Sequence, residues 1–318
     1  MGGVGLNVLQ TEFIPVGRRL CIPMCFCRLP KRKGMLEFFV RKIGAHIGTV
    51  SRVLSLVNFY RPYLYRLQIP VVTHCNLNCK SCGTCSPLAK EEFYDAETLE
   101  KDLACLAQKL AVSVVCLLGG EPLLHPEIET LIGIAKKHYP RAFLTLWTNG
   151  IRLPEMPRTF WDTLKKNKVT VILQCYPPFK HRLKEYLRLA REAGVRMVHD
   201  PHGWIFFRCS FGANHTGREK HYAACGGVGY QQLWRSKLYL CPRHCLEHYN
   251  RYFGTRHELL QGYDIYKYGG RELQKLMNRS DAFCRCCTWA SRPVATEWGY
   301  SKREKWEWCA DEALPTKH

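Results

Sequence analysis

Three cysteines lie close together in the chain, at Cys75, Cys79 and Cys82, with the spacing C-x3-C-x2-C. Thiolates at this spacing can bind three irons of a 4Fe–4S cluster and leave the fourth iron without a protein ligand. A catalytic metal site keeps such an open position, whereas a structural site closes it. The segment therefore predicts a catalytic iron–sulfur centre. On these cysteines alone, a zinc site with a fourth ligand such as Cys85 or His74 fits equally well.

A second motif, Gly119-Gly120-Glu121-Pro122, follows further along the chain. Paired glycines let another group approach the backbone closely. The exposed carbonyls and the glutamate carboxylate can accept hydrogen bonds from an ammonium group. Alone the motif would indicate only a turn, but after the cysteine motif it favours a ligand site.

Strand and helix patterns alternate through the middle of the chain. Apolar, β-branched runs predict strands at 67–73, 112–118, 142–147, 169–174 and 195–198, and helical periodicity predicts helices at 96–110, 127–138, 159–166 and 180–193. Strict alternation of strands and helices predicts an α/β fold with a parallel sheet and helices packed on its outside. The number of units suggests that the sheet forms a complete or partial barrel. The cysteines follow the first predicted strand and the glycine motif follows the second. Because the loops after the strands build the active face of a barrel, both motifs are expected at that face.

The totals narrow the class of protein. The chain has 318 residues, 18 cysteines and a formal net charge of +20. The first residues lack the pattern of a signal peptide and no apolar run is long enough for a membrane span, so we expect metal ligation in a reducing cytoplasm rather than a secreted disulfide framework. The positive charge favours acidic partners: phosphorylated small molecules, nucleic acid or an anionic membrane surface.

The chain resembles the radical S-adenosylmethionine (SAM) superfamily. The stretches that carry the resemblance are Cys75–Cys82, Gly119–Pro126, Thr148–Gly150 and Lys237–Pro242. It resembles in particular the members with a C-terminal extension of the SPASM or Twitch type, which binds an auxiliary cluster. The resemblance runs from about residue 68 to the C-terminus. It implies a partial (β/α)6-type TIM barrel followed by a small Cys-rich domain for the auxiliary cluster.

The resemblance also implies an enzyme with defined cofactors. SAM would chelate the open iron of the 4Fe–4S cluster, and one electron from a reductant such as flavodoxin or ferredoxin would split it to a 5′-deoxyadenosyl radical. That radical would take a hydrogen from the substrate, as in epimerisation, dehydrogenation or another C–H functionalisation. The residues implied to contact SAM are Gly119, Gly120, Glu121, Pro122, Thr148, Asn149 and Gln174. Gln174 stands before Tyr176-Pro177, where related sequences more often have Ser or Thr.

A second set of cysteines lies in the C-terminal part of the chain. The resemblance implies that an additional 4Fe–4S cluster is held by Cys225, Cys241, Cys284 and Cys287, with Cys209 as a reserve ligand. The stretch 237–242 predicts a strand that ends at the ligand Cys241. A zinc ribbon remains an alternative on spacing alone. Cys245 and Cys286 are left without an assigned role.

These patterns divide the chain into a basic N-terminal extension (1–62), a barrel (63–200), a Cys-rich auxiliary-cluster domain (201–295) and a final helix (296–318) against which Trp298, Trp306 and Trp308 pack. Residues 35–60 are predicted to form an amphipathic helix that packs on the neighbouring domain or docks on an anionic membrane. The expected substrate is a small anionic molecule, such as a sugar or nucleotide-linked sugar in a biosynthetic pathway. A peptide-modifying enzyme and a zinc-binding nucleic-acid module are the alternatives, although the module leaves the glycine motif unexplained.

Overall fold

The computed structural model describes residues 62–200, 205–208, 211–212, 225, 229–288, 294–310 and 312. The amphipathic helix predicted at 35–60 and the reserve ligand Cys209 lie outside the described residues. None of the described helices is long and apolar enough to cross a membrane.

Strands and helices alternate in the first part of the described chain. The strands are β1 (Tyr63–Val72), β2 (Ala111–Gly119), β3 (Phe143–Thr148), β4 (Thr170–Leu173), β5 (Met197–His199), β6 (Ile205–Arg208), β7 (Gln231–Trp234), β8 (Lys237–Tyr239), β9 (Gly262–Asp264) and β10 (Val294–Glu297). The helices are α1 (Ala96–Lys109), α2 (Ile128–His138), α3 (Arg158–Lys166), α4 (Leu183–Glu192), α5 (Leu246–Phe253) and α6 (Gly270–Met277). The predicted helix at 96–110 and the strand leading to Cys241 are confirmed, while β1 begins four residues before its predicted start.

An eight-stranded sheet forms the centre of the molecule, in the order β5-β4-β3-β2-β1-β7-β8-β9. Strands β1 to β5 pair in parallel with their neighbours, as does β7 with β1, whereas β8 and β9 are antiparallel. The α/β partial barrel predicted from the sequence is therefore confirmed. Its sixth parallel strand, β7, does not follow β5 but lies on the other side of β1. Strands β6 and β10 form a separate antiparallel pair.

One face of the sheet packs against the helices. Leu67, Ile69 and Val71 of β1 are fully buried in the same core as Leu99 and Leu103 of α1. The strand residues recur every second position and the helix residues every fourth, which is the spacing that places each set on one face.

The opposite face of the sheet carries a row of buried polar side chains. Gln68 lies beside Gln232 on β7 and beside Cys116 on β2, and the register continues from Cys116 to Thr145 and from Thr145 to Thr170. We call these five residues the polar row; all of them are buried. Because the helices cover the other face, the polar row faces the inside of the barrel.

A buried carboxylate ties α1 to the turn between β7 and β8. The carboxylate of Asp102 is fully buried and accepts hydrogen bonds from Ser236 N at 2.8 Å, Ser236 Oγ at 2.9 Å and the Tyr266 hydroxyl at 2.8 Å. The hydroxyl of Tyr94 donates to the same group. This turn needs such support because Arg235 and Ser236 both have positive φ, 46° and 63°. The main sheet and this tie both cross the domain boundary predicted near residue 200, which stays a prediction.

The prediction of a final helix over 296–318 is wrong for the residues that the structure describes there. Strand β10 ends at Glu297, and the only helical residues between it and Ala310 are a short 3-10 turn at Lys305–Glu307. The backbone N–H of Ser301 donates to Asn78 O, and that of Lys302 donates to the Glu307 carboxylate. Because a distant carbonyl takes the first of these donors and a side chain takes the second, the local helical pattern is overridden.

Asp102→Ala should destabilise the protein by about 3 kcal/mol, because it removes the shared acceptor of four hydrogen bonds, one of them from the buried Tyr94 hydroxyl. Urea unfolding of the full chain would measure the loss. The matched control is Glu97→Ala on the same helix, whose carboxylate forms an exposed ion pair with Lys101 at 2.5 Å. Exposed pairs contribute little, so the control should change stability far less. Equal losses for the two variants would contradict the assigned role of Asp102.

Candidate active site

The structure brings the thiols of Cys75, Cys79 and Cys82 together in the loop that follows β1. Burial raises the pKa of the Cys75 thiol well above its usual range, and the nearby charges of Glu121 and Cys82 raise it further. Burial, with a smaller effect of Cys82, raises the pKa of Cys79 to about 12. Three thiolates this close are unfavourable without a cation between them, so the donor set fits an iron–sulfur cluster, whose binding displaces the protons.

The loop around Cys82 is a tight turn with left-handed residues. Ser81 and Cys85 have φ values of 56° and 51°, and Cys85 N donates to Cys82 O at 3.0 Å. Cys85 is buried, and its side chain hydrogen-bonds the thiol of Cys245, which lies 3.2 Å from Gly83 O. The structure therefore pairs Cys85, the alternative fourth zinc ligand, with Cys245, which the sequence left without a role.

The glycine motif packs directly against the start of the cysteine loop. Gly120 N donates to Val72 O and Glu121 N donates to His74 O, both at 3.0 Å. A Cβ atom at Gly120 would lie 1.9 Å from His74 O, and one at Gly119, whose φ is 153°, would lie 2.2 Å from Val72 O. The sequence predicts that these glycines admit a ligand. In the structure the group that approaches them is the protein's own backbone.

Glu121 holds the turn after β3. Its fully buried carboxylate accepts hydrogen bonds from Thr148 Oγ1 at 2.7 Å, Asn149 N at 2.8 Å and Leu123 N at 3.0 Å. Burial raises the pKa of this carboxyl to about 7, although the hydrogen bonds oppose the shift. Both oxygens are therefore engaged within the protein, and a contact of Glu121 with the amino group of SAM stays a prediction.

The remaining residues expected at SAM belong to the same network. Asn149 Nδ2 donates to Asn76 Oδ1 at 2.8 Å and lies 3.6 Å from Cys75 Sγ. Gln174 N donates to Thr148 O at 2.9 Å, and Pro122 begins a buried 3-10 turn. The loops after β1, β2, β3 and β4 thus meet at one end of the sheet, as expected for a barrel's active face.

Sequence reasoning missed two aromatic residues at this site. The phenol of Tyr176 has its pKa raised well above its usual range by burial and then by the nearby charges of Cys79, Cys82 and Cys75. The position of Tyr176 directly after β4 is the sequence signal that could have placed it at this site. The indole N–H of Trp298 donates to Cys79 Sγ at 3.2 Å. No local pattern could reveal that contact, because the two residues are 219 positions apart.

The segment that carries Trp298, which we call the C-terminal segment (residues 298–310), pairs with the cysteine loop. Lys80 N donates to Gly299 O at 2.7 Å, and Ser301 N donates to Asn78 O at 2.8 Å. The indole of Trp308 donates to the backbone oxygen of Cys82 at 2.9 Å. The tryptophans expected to pack a final helix therefore contact the cysteine loop instead, with the exception of Trp306.

The predicted auxiliary ligands also lie near one another. Burial raises the pKa of Cys241 well above its usual range, and the charges of Cys287 and Cys225 raise it further. Burial raises the pKa of Cys284 to about 12, and the same two thiols contribute. The thiol of Cys286 lies instead 3.8 Å from the carboxylate of Glu258. The four predicted ligands thus interact electrostatically, and their role as ligands stays a prediction.

None of the 14 described cysteines forms a disulfide. Among the described residues, no three His, Cys, Asp or Glu side chains converge as the ligands of a single metal ion do. The ligands of a 4Fe–4S cluster need not converge in this way, because each binds a different iron.

Comparison with known proteins places part of the chain in a family. Residues 69–203 match the family model of the radical SAM superfamily. The chain is 31% identical over 105 residues to GTP 3′,8-cyclase of Peptoclostridium acidaminophilum, covering 32% of each chain. It is 28% identical over 177 residues to GTP 3′,8-cyclase of Streptomyces coelicolor, covering 52% of this chain and 49% of the relative. The chain thus spans about a third to a half of the length of these curated relatives. Among solved structures it matches anSMEcpe with bound AdoMet, with a TM-score of 0.36 and 24% identity over 43% of each chain.

The fold is α/β, and its three neighbouring thiols fit a cysteine-bound iron–sulfur centre. The matched segment contains the cysteine loop, the glycine motif and the turn after β3. Residues 69–203 of the chain thus match the radical SAM superfamily. Enzymes of this family use a 4Fe–4S cluster together with SAM.

Gly120→Ala should separate the glycine motif from the cysteine loop, because the new Cβ would overlap the His74 carbonyl. We expect the reconstituted variant to bind about four fewer irons per chain than the wild type. Iron counting after anaerobic reconstitution would measure this. The control is Gly133→Ala on α2, where nothing lies within 4 Å of the added atom. Full iron content in Gly120→Ala would show that the close contact is not needed.

Glu121→Gln should remove a pH dependence of stability. The pKa of Glu121 is raised from 4.5 to about 7, so its carboxyl stays protonated to a higher pH in the folded protein than in the unfolded chain. Its contribution to stability is therefore complete below pH 4.5 and is lost as the pH rises through about 7. For the wild type, we expect this group to lower the free energy of unfolding by up to about 3 kcal/mol across that window. Urea unfolding of both proteins from pH 5 to 8 checks this, and parallel profiles would contradict it.

Proposed function

We propose that this chain binds a 4Fe–4S cluster through Cys75, Cys79 and Cys82, cleaves SAM there and uses the radical to take a hydrogen atom from a small anionic substrate. The observation that supports this most is the meeting of the three thiols with the glycine motif at the end of β1 and β2. The resemblance rests on these residues, and the segment that matches the family contains them.

The chain's own residues bind and orient the reacting groups. When bound, the cluster and SAM supply the one-electron cleavage that yields the 5′-deoxyadenosyl radical. The cysteine loop provides three iron ligands, and the buried Glu121 fixes the turn at Thr148 and Asn149 beside them. Tyr176, which is half-buried and follows β4, lies near the three thiols, whose charges raise the pKa of its phenol.

A second 4Fe–4S cluster bound by Cys225, Cys241, Cys284 and Cys287 is part of the proposal. The mutual electrostatic effect of these thiols supports it. The 3-10 turn that carries Cys284 is capped by Asp281, whose side chain accepts a hydrogen bond from Phe283 N at 2.9 Å. A defined turn at a ligand pair is what a preformed site requires.

For the substrate we propose a nucleotide or nucleotide-linked sugar. The net charge of +20 favours a phosphate-bearing molecule. In the polar row, Gln68 Oε1 and Gln232 Oε1 are buried without a hydrogen-bond partner among the described residues. Buried acceptors of this kind suit a polar ligand inside the barrel. The GTP named for the two relatives above is itself a phosphate-bearing nucleotide. The electron would come from a reductant such as flavodoxin or ferredoxin.

Anaerobic reconstitution with iron and sulfide tests the proposed function. The wild type should bind about eight irons and form 5′-deoxyadenosine from SAM under reductant. The Cys75/Cys79/Cys82→Ala variant should bind about four irons and form none, and the Cys225/Cys241/Cys284/Cys287→Ala variant should also bind about four. Cys286→Ala, on a thiol directed at Glu258, is the control and should match the wild type. Bound zinc without SAM cleavage in the wild type would contradict the proposal.

The polar row gives a separate test of the substrate class. A panel of nucleotides, nucleotide sugars and peptides should include a nucleotide-type compound that increases 5′-deoxyadenosine formation by the wild type. The double variant Gln68→Leu/Gln232→Leu should retain basal SAM cleavage. Its stimulation by the nucleotide should be at least about tenfold weaker, which corresponds to a free energy of about 1.4 kcal/mol. Gln231→Leu is the control, because Gln231 pairs in register with Leu67 on the helix-covered face. Stimulation by peptides alone would contradict the substrate class.

A further inference from the structure

One hydrogen bond joins the C-terminal segment to a predicted iron ligand. The indole N–H of Trp298 lies 3.2 Å from Cys79 Sγ. An indole nitrogen is a donor only, so the sulfur must be the acceptor. Cys79 itself is 4% exposed, so water has little access to compete for this contact.

Backbone pairing on both sides fixes the indole relative to the sulfur. Lys80 N donates to Gly299 O at 2.7 Å, next to Trp298, and Cys79 and Tyr300 form an antiparallel bridge. Ser301 exchanges two more bonds with Asn78: its N–H donates to Asn78 O at 2.8 Å, and its carbonyl accepts from Asn78 Nδ2 at 2.9 Å. The donor is therefore preorganised before any cluster binds.

A buried carboxylate joins the C-terminal segment to the cysteine loop. Glu307 is 1% exposed. Its carboxylate accepts from Ser301 Oγ at 2.7 Å, Lys302 N at 2.8 Å and Ser81 N at 3.4 Å. Trp308, one residue further, donates to the Cys82 carbonyl and not to a sulfur. The two tryptophans therefore differ in their acceptors: Trp308 donates to a backbone carbonyl of the cysteine loop, whereas Trp298 donates to the sulfur of a predicted iron ligand.

We propose that Trp298 is a positioning residue that raises the reduction potential of the cluster bound by Cys75, Cys79 and Cys82. The inference rests on the proposed function, since it requires Cys79 to be an iron ligand. Accepting one electron from the external reductant makes the cluster more negative. A hydrogen bond donated to a ligand sulfur stabilises the more negative form, and such bonds are among the factors that set iron–sulfur potentials. Trp298 thus eases the electron transfer that precedes SAM cleavage.

Redox titration of the reconstituted full chain, followed by electron paramagnetic resonance, tests this inference. The signal that changes on addition of SAM identifies the cluster with the open iron. In Trp298→Phe, we expect the one-electron reduction equilibrium to shift about tenfold toward the oxidised form, which is about 59 mV. Trp306→Phe is the matched control, because that indole donates to the Glu304 side chain, and its potential should equal that of the wild type.

Trp298→His, which keeps a ring N–H, guards against a variant that simply loses its cluster. The donor role would be supported if Trp298→His retained the SAM-responsive cluster and Trp298→Phe lost it. If both variants retain the cluster, the role would be supported by a reduction potential of Trp298→His that is closer to the wild type than that of Trp298→Phe. Trp298→Phe with full iron and an unchanged potential would overturn the inference. Loss of the cluster from both variants would also overturn it, because the indole would then serve only to fill space. A wild type without a SAM-responsive signal would instead refute the proposed function.

Discussion

The active site depends on the close approach of two backbones, where Gly120 lies against the carbonyl of His74. Strands β1 and β2 are parallel neighbours, so their ends leave the sheet side by side. The bond from Glu121 N to His74 O continues their ladder beyond the strands and fixes where the cysteine loop begins. The buried Glu121 side chain then transmits this position to Thr148 and Asn149 after β3. One contact, possible only without a Cβ atom, therefore sets the mutual placement of three loops.

The C-terminal segment adds a second constraint, because its contacts connect the two groups of cysteines. The C-terminal segment pairs with the cysteine loop at Asn78 and Lys80. Further along, Phe211 forms bridges with both Cys309 and Cys287, and Ala310 N donates to Phe211 O at 2.7 Å. Elements far apart in the sequence thus form a continuous set of backbone contacts from the catalytic loop to the predicted auxiliary ligands. The geometry of each cysteine group is consequently tied to the other.

The sequence predicts best what is held by local hydrogen bonds and alternating burial. Helix α1 agrees with its predicted bounds to within one residue, because its buried face recurs at helical spacing and Asp95 caps its first turn by accepting from Thr98 N at 2.8 Å. The C-terminal segment was predicted to be a helix because its Lys and Glu residues are good helix formers, whereas the acceptor of its Ser301 N–H, Asn78 O, lies far away in the sequence. The contact of Trp298 with Cys79 was missed for the same reason. The paired glycines also contact the chain's own backbone, which no local pattern shows, and their contact with SAM stays a prediction.

The segment that matches the family is therefore not sufficient to build the site. Its cysteine loop has backbone donors at Lys80 and Ser81 whose acceptors are Gly299 and Glu307. Without residues 298–310, Ser81 would lose a buried carboxylate acceptor, and Cys79 would lose the only indole shown to contact a ligand sulfur among the described residues. Unpaired buried groups of this kind cost about 1–3 kcal/mol each. Because metal binding and local folding are coupled, such a cost lowers cluster affinity directly. Residues outside the segment that matches the family thus supply contacts on which the cysteine loop depends.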